Sequence, residues 1–209
     1  EDFAKPNNLF DSTYAYFSST SNSLLNHAKE YYEMICKRLL LNENNYVVEI
    51  ASNDGYLLRN FVNAGLPCLG IEPTESTAKV AEKFGIPVYK EFFGEKVANN
   101  LASDGKQADL IIANNVYAHV PDINGFTKGL KSLLKPGGTI TLEFSSLMEM
   151  VKNCLFDLFY HEHYSYLSLN TVRNIFGVAG LKIIDVENLS QQGGSLRVYG
   201  CHIEDKRKP

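Results

Sequence analysis

Tyr46-Val-Val-Glu-Ile-Ala-Ser-Asn-Asp-Gly55 decides the fold. Its first five residues form a short apolar run, the pattern of a strand covered on both faces. The next five are small or turn-forming. A helical pattern then occupies residues 56–63, and Gly65 stands where a C-cap glycine ends a helix. Residues 67–71 read as a second buried strand. Strand, tight turn, helix and strand make the repeating unit of a parallel sheet, because parallel strands need a crossover and a helix supplies it.

The same alternation extends in both directions. Upstream, Leu24, Leu25, Ala28, Tyr31, Tyr32, Ile35, Leu39 and Leu40 recur at helical spacing, which predicts a packing helix over 21–41. Downstream, helices are expected over 75–84, 94–101 and 123–134, and strands over 87–89, 108–113 and 138–144, the last after the turn Lys135-Pro-Gly-Gly138. Asn170 is the expected N-cap of a helix reaching Ala179 and closed by Gly180. Residues 181–188 and 195–203 are close enough to pair as a hairpin, and residues 145–169 are irregular. The chain is therefore expected to be α/β, with an N-terminal segment and packing helix over 1–41 and a sheet domain over 42–209.

Composition narrows the class. With 44% hydrophobic and 21% charged residues over 209 positions, the chain can bury a core, so disorder and collagen are excluded. Twenty basic residues against 24 acidic ones give a net charge of -4, which offers no cationic face for nucleic acid or anionic lipid. Cys36, Cys68, Cys154 and Cys201 lie far apart and form neither a metal knuckle nor a disulfide framework. No apolar run approaches a membrane span, and the start is polar and acidic, so a cytoplasmic location is expected. The first residue is Glu1 and not Met, which suggests a piece excised from a longer chain.

Ligands of open α/β sheets sit beyond the carboxyl ends of the strands. The segment 49–55 follows the first strand, and its small residues either serve packing or let a ligand approach the backbone amides. Glu72 ends the second strand about 20 residues on, where a carboxylate can accept from both ribose hydroxyls. The alternative for Glu72 is a solvated side chain.

Val48-Glu-Ile-Ala-Ser-Asn-Asp-Gly55, Leu69-Gly-Ile-Glu-Pro73, Ala113-Asn-Asn115 and Leu134-Lys-Pro-Gly-Gly138 resemble the successive motifs of the class I S-adenosylmethionine-dependent methyltransferases. The resemblance implies a Rossmann-like fold: a seven-stranded, mostly parallel sheet with an antiparallel last strand and helices on both faces. It places the cofactor's amino-acid part near Glu49, Ala51, Asn53, Asp54 and Gly55, its ribose on Glu72 beside Pro73, and its adenine near Glu91 and Phe92, with Asn114 and Asn115 completing the site. The family usually has Gly where this chain has Ala51, so the turn is expected to take a conformation open to a Cβ.

The unusual stretch is Tyr160-His-Glu-His163, in the irregular segment after the fifth strand; His119 lies beyond the fourth. Two histidines from different loops can converge on one substrate. Zinc is a rival reading, disfavoured because adjacent residues rarely reach one ion and the H-E-x-x-H spacing is missing. His161 reads as a helix cap or a partner of a backbone carbonyl.

Together with Ala118-His-Val-Pro-Asp122, Gly193-Gly-Ser-Leu-Arg-Val198 and the early Tyr14-x-Tyr16-x-Ser18-Ser19, these motifs resemble the nucleotide-deoxysugar C-methyltransferases, over almost the whole chain. That resemblance implies methylation of a carbon beside a ketone in a nucleotide-sugar. A carbon acid must lose a proton before it attacks a sulfonium methyl, so the site needs a base of near-neutral pKa and donors for the enolate oxygen. His163 is the expected base, with Glu162 orienting or polarising the site. Tyr160, His119 and Tyr14 are expected to position the sugar, although Tyr14 equally reads as a packing residue. Gly193-Gly194 reads as a hairpin turn, while Ser195 and Arg197 are candidates for the substrate, Arg197 for a phosphate.

These relatives also carry an N-terminal segment with four zinc-binding cysteines and a further C-terminal domain, neither of which matches this sequence, so no metal is expected. Two other readings remain: an O- or N-methyltransferase of another small metabolite, and a cofactor-binding module that needs further domains for turnover.

Overall fold

The computed structural model describes Phe10 and residues 16–208. Its seven strands form one mixed, mostly parallel sheet. The chain divides into two compact units meeting at Phe93 and Gly94.

In the first unit, α1 (Asn22–Leu39) opens at Ser21, whose side chain accepts the Leu24 N–H at 3.4 Å. Ala28, Tyr31 and Ile35 share its buried face, and Leu40 closes it in the left-handed region at φ 53°. The expected strands appear as β1 (Val47–Ile50), β2 (Cys68–Ile71) and β3 (Val88–Tyr89), ordered β3-β2-β1 and all parallel. Every residue of β1 and β2 is buried, which is why neither sequence alternates, although β1 carries the carboxyl of Glu49. The crossovers are α2 (Leu58–Asn63) and α3 (Glu75–Lys83). Phe61 of α2 is fully buried and meets the Tyr32 ring of α1 edge-on, with centroids 5.0 Å apart.

The second unit contains α4 (Glu95–Ser103), β4 (Ala108–Asn114), α5 (Ile123–Leu133), β5 (Leu134–Ser145), α6 (Leu147–Lys152), α7 (Leu169–Ala179), β6 (Leu181–Leu189) and β7 (Ser195–His202). Its strand order is β4-β5-β7-β6. β4 and β5 are parallel, whereas β7 runs antiparallel to both β5 and β6, so the last strand is inserted inside the hairpin partner.

Three local expectations change. Strand β5 begins at Leu134, four residues early, because Leu134 pairs with Ala108 before a bulge carries Pro136-Gly137-Gly138 out of register. Arg207 donates to the Gly137 and Gly138 carbonyls and satisfies the looped-out backbone. The cap of α7 is Ser168, which accepts the Thr171 N–H at 3.2 Å, while Asn170 lies inside the first turn and accepts from Arg173. Leu167 forces this choice: it is buried and its carbonyl accepts the Leu147 N–H, so the chain must turn immediately afterwards. The irregular segment also holds α6, capped by Ser146, and a single 3-10 turn, Phe156–Leu158. Among the described residues no helix is long and apolar enough to cross a membrane.

Candidate active site

In the first unit, β1 runs into a turn whose conformation is unusual for its residue types. Ala51 and Asn53 take φ 56° and 50°, and Gly55 takes φ 78°. The turn therefore does not avoid the left-handed region at Ala51 as expected; an alanine occupies it, at a cost of about 1 kcal/mol. Gly55 is demanded by packing as well as by φ, since a Cβ there would collide with Ile86 Cδ1 and approach Ala81 Cβ to 3.1 Å.

Glu72 is buried, not solvated, and clamps the turn. Its Oε2 accepts the Asn53 N–H and its Oε1 the Thr74 N–H, each at 2.9 Å. Each oxygen keeps a second lone pair. Glu49 is buried with Oε2 lacking any partner, and burial, reinforced by the charges of Glu72 and Asp54, pushes its carboxyl well above the usual range. Asp54 Oδ2 accepts the Ser19 N–H at 3.1 Å, but Oδ1, like Ser52 Oγ, is buried without a partner. The Asn53 amide is committed elsewhere, accepting the Ser18 N–H at 2.9 Å and donating to the Tyr16 carbonyl at 3.0 Å. Pro73 is half-buried between Glu72 and Thr74, and Glu91 and Phe92 are exposed after β3. Tyr14 lies outside the described residues.

In the second unit, Asn115, Ala118, His119, Phe144, Ser145, Tyr160, His163 and Gln192 line one pocket. The 3-10 turn Tyr117–His119 follows β4, and the Ala118 carbonyl accepts the Tyr164 and Ser165 N–H groups at 2.9 and 3.2 Å. Those bonds bring the 160–165 segment onto the turn. The His119 and His163 rings meet at 4.7 Å, and Tyr160 lies 4.2 Å from His163 at 40°.

Burial lowers the pKa of both histidines. His163 is pushed down to about 4, by desolvation first and by His119 second, against weaker opposing effects of the Leu158 backbone and the Glu162 carboxylate. His119 is also lowered by burial. The near-neutral pKa expected of the base is thus replaced by a lower one, because the Glu162 charge offsets only a small part of the desolvation. His119 Nδ1 lies 3.0 Å from the Glu162 carbonyl. A carbonyl only accepts, so a neutral His119 carries its proton on Nδ1 and its lone pair on Nε2. Glu162 thereby orients His119 through its main chain. His163 Nδ1 is buried without a partner, and His161 is exposed.

Asn115 takes φ 53° and donates its N–H to the Glu143 carbonyl at 2.7 Å, while Asn114 Oδ1 is buried and unbonded. Arg197 is placed differently from its expected role. It is buried on β7, opposite Glu143 of β5 and Glu187 of β6, and donates to them at 2.9 and 3.1 Å. Ser195 is buried too, its hydroxyl on the Gln191 carbonyl. Ser145 and Gln192 escaped sequence reasoning, because neither ionises and only the folded chain brings them to the histidines.

Known proteins are similar to this chain over part or most of its length. The C-methyltransferase NovU of Streptomyces niveus is 33% identical over 188 residues, covering 90% of this chain and 45% of NovU. A ubiquinone biosynthesis O-methyltransferase of Bordetella avium is 29% identical over 112 residues, covering 53% of this chain and 46% of that protein. The chain thus spans about half the length of these curated relatives. Among solved structures, magnesium protoporphyrin IX methyltransferase of Synechocystis with bound SAH superposes with a TM-score of 0.63 at 16% identity, over 85% of this chain and 84% of that one. An S-adenosylmethionine-dependent methyltransferase of Clostridium acetobutylicum gives 0.65 at 13% identity, over 84% and 91%. The profile of the family described as a methyltransferase domain matches residues 24–186, which takes in the β1 turn and both pocket histidines, and the chain belongs to that family.

Proposed function

We propose that the chain binds S-adenosylmethionine and transfers its methyl group to the carbon beside a ketone in a nucleotide-linked keto-deoxysugar. The observation that carries this reading is His163: an imidazole kept unprotonated, with a buried unpartnered Nδ1, against a second neutral imidazole and a tyrosine ring.

The first unit fits the cofactor. Glu49 and Asp54 each hold a buried oxygen without a partner, suited to a cationic amine, and Glu72 keeps lone pairs suited to ribose hydroxyls. When bound, S-adenosylmethionine supplies an electrophilic methyl group on a sulfonium and leaves as S-adenosylhomocysteine.

The pocket residues supply the proton chemistry. His163 takes the proton from the carbon beside the ketone as that C–H electron pair becomes the enolate π-bond and the carbonyl pair moves to oxygen. Its low pKa keeps it unprotonated at physiological pH, and the enolate forming beside it stabilises the imidazolium. The Tyr160 hydroxyl and the Asn115 amide are the donors for the enolate oxygen. Similarity to NovU across most of the chain supports carbon as the methylated atom.

Incubation of a nucleotide keto-deoxysugar in deuterated water tests this reading. Exchange at the carbon beside the ketone is expected with the unaltered chain and lost in His163→Ala; equal exchange in both removes His163 as the base. The similarity to ubiquinone biosynthesis O-methyltransferases supports oxygen as an alternative acceptor atom. Carbon-13 NMR of the product separates the two, because C–CH3 and O–CH3 carbons resonate far apart.

A further inference from the structure

Gln192 is the first central residue of the tight turn between β6 and β7, whose positive φ angles suit asparagine or glycine. It sits at φ 50° and ψ 40°, the left-handed region, ahead of Gly193 at φ 74° and Gly194 at φ 126°. A side chain with a Cβ is strained there by about 1 kcal/mol, and glycine or asparagine would remove most of that strain.

The surroundings hold the strain in place. A Cβ on Gly193 would come 2.6 Å from Leu155 Cδ1, and one on Gly194 would come 2.8 Å from Glu149 Cβ, so the loop is pressed against α6 and the residues after it. The Gly194 carbonyl accepts the Ser146 N–H at 3.0 Å, and the Gly194 N–H returns to the Gln191 carbonyl at 2.9 Å. A strained residue kept by an over-determined frame is the arrangement found at ligand sites.

The side chain has a direction and a chemistry. Gln192 lines the same pocket as His119, Tyr160 and His163. The Ser145 hydroxyl donates to Gln192 Oε1 at 3.0 Å, which settles the amide orientation and leaves the Nε2 hydrogens as donors. These donors do not titrate, unlike the His119 and His163 imidazoles of the same pocket.

We propose that Gln192 is the specificity-determining residue of the pocket, donating its amide N–H to a carbonyl or hydroxyl oxygen of the acceptor. The assignment rests on reading this pocket as the acceptor site. Gln192 is exposed where it lines the pocket, so an acceptor with a matching oxygen gains a hydrogen bond in place of water and one without it gains none.

The test uses Gln192→Gly and Gln192→Glu, with a nucleotide keto-deoxysugar as probe. Gln192→Gly removes both donor and strain. It is expected to raise the urea midpoint while weakening sugar-nucleotide binding about tenfold by calorimetry, with KM rising more than kcat falls. A purely structural residue would move stability and binding in the same direction. Gln192→Glu keeps the Ser145 contact but reverses donor to acceptor, and binding is expected to weaken at neutral pH and recover as the carboxyl protonates. Unchanged Kd and KM in both variants overturn the assignment while leaving the acceptor reading intact. If the unaltered chain neither binds the sugar nucleotide nor exchanges its proton, the acceptor reading falls and this assignment with it.

Discussion

The imidazoles of His119 and His163 meet edge to face, 4.7 Å apart at 73°, and His119 adds to the burial that holds His163 in its neutral form. The acid limb of kcat/KM is therefore expected near pH 4, well below the ordinary histidine range, with a flat profile through neutrality. His119→Asn removes the lowering charge and part of the burial, so the His163 pKa is expected to rise. Imidazole proton shifts followed by NMR from pH 3 to about 8 measure both.

The same pair makes stability depend on pH. His163 has a folded pKa of about 4 against an unfolded value near 6.5, so between those values the unfolded chain binds the extra proton. Stability is expected to be flat above about pH 6.5 and to fall as pH drops from there toward about 4. Urea unfolding at several pH values should show a shallower decline in His163→Asn than in the unaltered chain.

Within the β1 turn two substitutions are expected to act in opposite senses. Ala51→Gly relieves a left-handed alanine and should stabilise by about 0.5 kcal/mol after the greater unfolded-state entropy of glycine is counted. Gly55→Ala adds a Cβ against Ile86 and Ala81 in the left-handed region and should destabilise by about 2 kcal/mol or more. Chemical denaturation of the two variants reads the contrast directly.

Arg197→Ala strands Glu143, which is 1% exposed, together with Glu187, and a loss of about 3 kcal/mol is expected. Double substitution with Glu143→Gln should restore part of it. If Arg197 instead served a substrate phosphate, Arg197→Ala would spare the urea midpoint and raise KM alone.

Glu72→Gln replaces one of two accepting oxygens by an NH2 group that faces a backbone N–H, of Asn53 or of Thr74. Weaker binding of S-adenosylhomocysteine, about tenfold by calorimetry, and a stability loss of about 1–2 kcal/mol are expected.

How much of this was legible in the sequence depended on whether the signal was local. Strands β1, β2 and β4 read directly, because a strand covered on both faces is mostly apolar and does not alternate, even where β1 carries the buried Glu49. That Tyr160, His119 and His163 line one pocket was legible because their segments follow the carboxyl ends of β4 and β5. The start of β5 was hidden, since Pro136-Gly137-Gly138 reads as a turn, and only Ala108 and Arg207 show that pairing begins before it. The fate of Arg197 was likewise a matter of register: Glu143 and Glu187 become its neighbours only when three strands align. The cap of α7 was hidden because the anchoring of Leu167 makes the chain turn at Ser168 and leaves Asn170 inside the first turn.

The hydrogen bonds from Ser18 and Ser19 to Asn53 and Asp54 span 35 residues of sequence. Closing so long a loop carries an entropic cost that is recovered only when both ends are already in place. The turn after β1 therefore has its full set of partners only when the segment at Ser18 and Ser19 is docked on it, so releasing that segment is expected to free the Asn53 side chain and one Asp54 oxygen together.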